Sequence, residues 1–266
     1  MTALRTTTIA LSLALLTASS ALAGPPLITD DTGTVDVGKV EIELNGSSPY
    51  DKEITAGVTT KHNTMDTEMK VTTGLYKNLG ISMAIPYTIS ARVEENGQLA
   101  SKADGFGDMT LEIKYAFAEL AGISFAIKPS IIMPTGKYSA GLSEGHWQFG
   151  TTMIATKEFE GKYALHANLG HEYHSYRTDE VRNSTRSNIW SGSIAGEAKL
   201  MQGLTAVLDF GLATNTDKGS NNLPVYALTG ARYEINDHLD INAGVKVGLT
   251  RPEEDITGLY GLVLKF

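Results

Sequence analysis

The sequence predicts an all-β fold: an up-and-down antiparallel transmembrane β-barrel of 12 strands. Three observations predict it. Beyond residue 37 apolar and polar side chains alternate with period two, and no comparable window shows helical periodicity. The connections between alternating segments are short, then long, as in barrels with tight turns on one rim and loops on the other. The central positions of one face hold no Asp, Glu, Lys or Arg, although 20% of the chain is charged. Arg or Lys facing lipid at mid-bilayer costs about 2–4 kcal/mol, which explains their exclusion.

Taken in order, residues 1–23 read as a signal peptide. Arg5 gives a positive start, Ile9 to Leu16 an apolar stretch, and Ala21-Leu22-Ala23 a small-residue cleavage site, so the mature protein is expected to begin at Gly24. Export through a cleaved signal implies a bacterial envelope destination, here the outer membrane. Residues 24–36 form a periplasmic N-terminal leader with Pro25, Pro26 and three Asp. Two readings of it stay open: a disordered lead-in, or a segment that enters the barrel mouth and narrows it, Asp30 and Asp31 meeting lumen lysines.

The barrel is expected over 37–266, with strands near 38–49, 66–76, 79–93, 106–118, 122–134, 146–157, 162–176, 187–200, 203–214, 223–235, 238–250 and 256–266. The clearest runs from Leu239 to Leu249, where every odd position is apolar and every even one is polar, charged or Gly. Met109, Leu111, Ile113, Tyr115 and Phe117 share one face in the fourth strand, as do Ile256, Gly258, Tyr260, Leu262, Leu264 and Phe266 in the last. Short connections fall at Lys77-Asn78, Glu119 to Ala121, Phe159 to Gly161, Gln202 and Asn236-Asp237. Long ones fall at 50–65, 94–105, 135–145, 177–186, 215–222 and 251–255. An even count places both termini on the short-turn side.

A soluble two-sheet sandwich would also alternate. Aromatic placement argues against it. Tyr115, Phe117, Tyr163, Tyr233 and Phe266 fall near the short turns, and Tyr87, Trp147, Phe149, Tyr173 and Trp190 near the long loops, the two girdles of a membrane barrel. Small residues on the apolar face (Ala155, Ala167, Gly192, Gly196, Ala206, Ala227) would also fill a sandwich core poorly.

Composition excludes other classes. A net charge of −8 opposes a nucleic-acid partner. Without cysteine there is no disulfide framework, thiol chemistry or Cys-based zinc site. No cofactor is expected. Catalytic constellations are weak: His171 and His174 point to opposite faces of a strand. His166 and His174 share the lumen face near Glu172, with Ser191 and Ser193 on the neighbouring strand. Gly136-Lys137 lacks the rest of a phosphate loop. The chain is therefore not expected to be an enzyme.

Several short motifs follow one another along the chain: Leu27-Ile28-Thr29-Asp30-Asp31-Thr32-Gly33, Gly105-Phe106-Gly107-Asp108, Pro134-Thr135-Gly136, His166-Ala167-Asn168-Leu169-Gly170, Gly230-Ala231-Arg232-Tyr233, and Gly261 to Lys265 before Phe266. In this order they resemble the outer-membrane transporter family named for the meta-pathway of phenol degradation. The resemblance implies an outer-membrane barrel that passes small molecules. It supplies no catalytic residues and does not make phenol the ligand. The last strand, ending at Phe266, also resembles the C-terminal signal read by the barrel-assembly machinery.

The inward face carries Glu41, Glu43, Glu68, Asp108, Glu112, Glu172, Glu197, Asp209, Glu234 and Asp240 against Lys39, Lys70, Lys114, Lys128, Lys199, Arg232, Lys246 and Lys265, with His166 and Asn168 beside them. Two functions remain open for such a lumen. It is a polar permeation path for small, hydrophobic or aromatic solutes, or a salt-bridged plug in a structural, surface-binding barrel. Glu112 and Lys128 face each other across a hairpin. The signs nearly balance, which points to weak ion selectivity. The expected partners are outer-membrane lipid, the assembly machinery and a small-molecule solute. Twelve tilted strands about 4.8 Å apart give a backbone radius of roughly 12 Å.

Overall fold

The computed structural model describes residues 24–55 and 57–266, so the expected signal peptide at 1–23 lies outside the described residues. The strands are β1 (Val40–Thr55), β2 (Val58–Tyr76), β3 (Leu79–Glu95), β4 (Gln98–Phe106), β5 (Met109–Leu120), β6 (Ile123–Met133), β7 (Gln148–Phe159), β8 (Tyr163–Tyr173), β9 (Asn188–Met201), β10 (Leu204–Ala213), β11 (Val225–Asn236), β12 (Leu239–Gly248) and β13 (Ile256–Lys265). All belong to one antiparallel sheet, and β13 returns to pair with β1 from Lys265 opposite Glu41 to Ile256 opposite Tyr50. The sheet is closed.

Thirteen strands make twelve staves, because β4 and β5 share one. β3 pairs with β5 from Leu79 opposite Tyr115 to Ala84 opposite Thr110, then with β4 from Tyr87 opposite Phe106 to Glu95 opposite Gln98. The stave breaks at Gly107-Asp108. β4 continues it beyond the level at which β5 pairs with β6, which ends at Met109 opposite Met133.

Two of the expected long loops are therefore strand. Pairing of β1 with β2 runs to Thr55 opposite Val58, and that of β3 with β4 to Glu95 opposite Gln98, so 50–65 and 94–105 are tall hairpins. Above the membrane neither face of a strand meets lipid. The stretch from Thr59 to Asn63 is accordingly polar on both sides and loses its alternation, while its backbone pairing persists. Asn96-Gly97, at φ 49° and 82°, supplies the left-handed pair that a two-residue hairpin turn requires. The segment 177–186 holds a short helix, α1 (Asp179–Ser184), capped by the Thr178 side chain.

Side-chain direction follows the alternation. Val245, Ile241, Leu208 and Phe210 are exposed on the outer wall, while Asp209, Glu197, Arg232 and Asp240 on the inner wall are buried. The buried interior of the molecule is thus its lumen, and it is not uniformly polar. Val207, Tyr226 and Leu228 form an inward apolar cluster joined by Leu27 and Leu259. At the rims Tyr87 meets Phe106 edge-on at 5.0 Å, and His171 lies tilted against Trp190 at 4.5 Å.

Val245→Arg puts a guanidinium on the outer wall, where Val245 lies between Thr229 and Gly258. It should cost about 2–4 kcal/mol of folding free energy in vesicles, and Val245→Leu under 1.5 kcal/mol. Urea titration followed by the mobility difference of unboiled and boiled samples measures both.

Candidate functional site

Residues 24–36 arch across the lumen. Gly24 starts beside Arg232 on β11, where an added Cβ would lie 3.5 Å from Nη1. Pro26 fits a notch made by Gly230 and Gly244, which oppose each other on β11 and β12. A Cβ on Gly230 would come within 2.7 Å of the Pro26 ring, so only glycine leaves this space. Leu27 then packs on the Val207–Tyr226–Leu228 cluster.

Asp209 is the first anchor. It is fully buried, and four donors converge on it: the N–H groups of Ile28 and Thr29, both 2.8 Å from Oδ2, and the hydroxyls of Thr29 (2.7 Å) and Tyr226 (3.2 Å) at Oδ1. A buried carboxylate without such donors would be prohibitively costly. The Thr29 hydroxyl also lies 2.8 Å from Ser193 Oγ.

The second anchor is ionic. Asp30 lies 2.7 Å from Lys114 Nζ and 2.8 Å from Lys128 Nζ, on β5 and β6. With its amide oriented to satisfy both groups, Asn168 accepts from the Asp30 N–H at 2.7 Å and donates to the Asp30 carbonyl at 2.9 Å. Lys114 also reaches Asp31 at 3.6 Å. Asp31 accepts from the Gly33 N–H at 2.8 Å, which turns the chain back. The Thr32 N–H donates to Thr156 Oγ1, itself 3.0 Å from His166 Nδ1. The segment leaves over Gly74, where a Cβ would come within 2.3 Å of the Val35 and Asp36 carbonyls. β11 and β5 are six staves apart in a ring of twelve, so residues 24–36 span the full width.

The remaining inward groups form pairs around this crossing. Glu112 bridges Lys70 and Lys128, each at 3.3 Å. Arg232 meets Glu197 at 3.4 Å in a fully buried pair, and Lys265 meets Asp240 at 2.6 Å. Lys246 is held by Glu253 and Glu254 from the loop after β12.

Other expected lumen residues lie toward the rims. Asp108 accepts from the Gly136 and Glu144 N–H groups, fixing the loop between β6 and β7 at the break in the stave. Glu172 is exposed and bonds His174 at 2.9 Å. His166 is eight strand residues, roughly 26 Å, from His174 and does not join that pair. Glu234 and Lys199 line the mouth near Gly24. The roles of Ser193, Thr156 and Tyr226 as binders of the segment carry no sequence signal beyond an inward position and a hydroxyl.

Two spaces remain. A cavity of about 240 Å³ lies between the segment and β1, β2, β3, β5 and β6, with Glu41, Glu43, Glu68 and Lys70 in its wall. A larger one, about 620 Å³, opens at the mouth and shares Gly24 and Glu41 with the first.

A closed twelve-stave barrel with an apolar outer wall and a charged, partly filled lumen defines a transmembrane β-barrel. The chain belongs to the family described as MetA-pathway of phenol degradation, whose model matches residues 29–266. Its structure is similar to the COG4313 outer membrane channel from Pseudomonas putida F1, at TM-score 0.73 and 14% identity over 89% of this chain and 98% of that one. It is also similar to the NanC porin, at TM-score 0.56 and 10% identity over 85% and 98%. A third likeness is to the KdgM porin in complex with disordered oligogalacturonate, at TM-score 0.56 and 6% identity over 85% and 99%. At these identities the likeness is one of fold. No curated protein matches the chain.

Asp209→Ala removes the acceptor for four donors. Residues 27–30 should then exchange amide hydrogens at least tenfold faster in detergent, while the central β10 and β11 amides keep their protection. Exchange mass spectrometry measures this; unchanged exchange at 27–30 contradicts the anchor.

Proposed function

We propose that the protein is a passive outer-membrane channel for small molecules, narrowed by its own N-terminal segment. One observation carries this reading: residues 24–36 cross the whole lumen, yet two neighbouring cavities remain beside them, with Gly24 and Glu41 in the walls of both. An empty barrel of roughly 12 Å backbone radius would hold a passage several Å in radius once side chains are subtracted. The segment reduces it to the scale of a small solute. Residues 1–23 act as the export signal, and the strand ending at Phe266 addresses the barrel-assembly machinery. Most inward charges hold one another or the segment, an arrangement suited to passage rather than to catalysis.

A second reading, a closed structural barrel, is favoured by the number of bonds that fix the segment. The two separate in planar bilayers and in liposome swelling with graded solutes. Intact protein should give a small conductance. Deletion of 24–36 should raise it several-fold, in a variant whose unboiled mobility shows a folded barrel. Absence of current and swelling in both forms would establish the closed barrel instead.

A further inference from the structure

We propose that the residual passage beside the N-terminal segment selects small cations over anions. The proposal rests on the channel reading and names the class of solute that reading leaves open. Counted along the sequence, the inward charges nearly balance. Counted by position, they do not.

Lys114 and Lys128 are held by Asp30 and Asp31 on the segment itself, so that those four charges cancel. On the walls of the two cavities, Lys70 and Lys265 each face two carboxylates. Lys70 contacts Glu112 at 3.3 Å and stands opposite Glu43 in the β1–β2 register. Lys265 contacts Asp240 at 2.6 Å and stands opposite Glu41 in the β1–β13 register. Glu68, also in the cavity wall, has no ion pair within 4.0 Å among the described residues. Five carboxylates against two lysines leave a surplus of three negative charges along one side of the passage. At the mouth, Lys199 is offset by Glu234 and Asp237, and Arg232 by its partner Glu197. An α-ammonium at Gly24, if the chain is cleaved there, would offset one of the three.

A second, independent feature points the same way. Asp240 is 97% buried and lines the mouth cavity, yet its Oδ1 has no hydrogen-bond partner among the described residues. This atom is an acceptor, which a cation or its hydration water satisfies and an anion does not. The open donor at this mouth, Arg232 Nη1, sits beside Glu197, whose Oε1 is also open, so that pair is neutral as a unit. Fixed charge of one sign in a passage this narrow excludes co-ions, as carboxylate rings do in cation channels. Low-dielectric walls strengthen the effect.

The test is the reversal potential in planar bilayers under a KCl gradient at about pH 8, with K⁺ and Cl⁻ as the only permeants. The expected K⁺ to Cl⁻ permeability ratio is roughly tenfold. It should fall toward unity in Glu41→Gln/Glu43→Gln/Glu68→Gln, and partway in Glu68→Gln alone, which breaks no ion pair. A current with a ratio near or below one in the intact protein overturns the proposal and leaves the channel reading standing. No current, either intact or after deletion of 24–36, overturns both.

Discussion

A sheet in hydrocarbon must close, because an unpaired N–H or C=O cannot reach water there. The return of β13 to β1 is therefore the constraint on which the rest of this structure depends. Closure at twelve staves fixes a lumen too wide for inward side chains to fill, and the same alternation that turns Val245 outward turns Asp240, Lys246 and Asp209 inward. The chain meets the resulting problem, charged groups around a space, by folding its own N-terminal segment into that space.

The two anchors of the segment differ in kind. At Asp209 a lone buried carboxylate is met by neutral donors, two of them backbone amides, so the chain direction is fixed as well as the charge. At Asp30 two lysines from adjacent strands meet one carboxylate from opposite oxygens. Buried pairs of this kind add little net stability over an apolar filling, but removing one partner typically costs 3–5 kcal/mol. Such contacts specify position. Together with the Gly230–Gly244 notch and the close approach at Gly74, they make residues 24–36 a fitted part of the barrel.

The wall was legible in the sequence, because a lipid boundary writes itself onto every second residue: Leu239 to Leu249 can be read as a strand with a known face from the letters alone. The tall hairpins were hidden because their strands leave the membrane, although Asn96-Gly97 was a turn signal in plain view. That Asp30 and Asp31 meet lumen lysines could be framed from charge; which lysines, and that the crossing reaches from β11 to β5, depends on closure and register. The apolar patch at Val207, Tyr226 and Leu228 was masked by reading inward positions as polar. The uneven division of lumen charge is likewise set by the path of the segment, not by composition.

The chain has no cysteine, so a single engineered pair reports without background. Thr29→Cys with Ser193→Cys replaces hydroxyls 2.8 Å apart, one on the segment and one on the wall of β9. In protein taken directly from outer membranes and oxidised, mass spectrometry should find these two residues joined in nearly every folded barrel, with neither single variant forming a link. A pair that stays reduced in folded, heat-modifiable protein would mean that the segment does not occupy the lumen, and the central claim would fail.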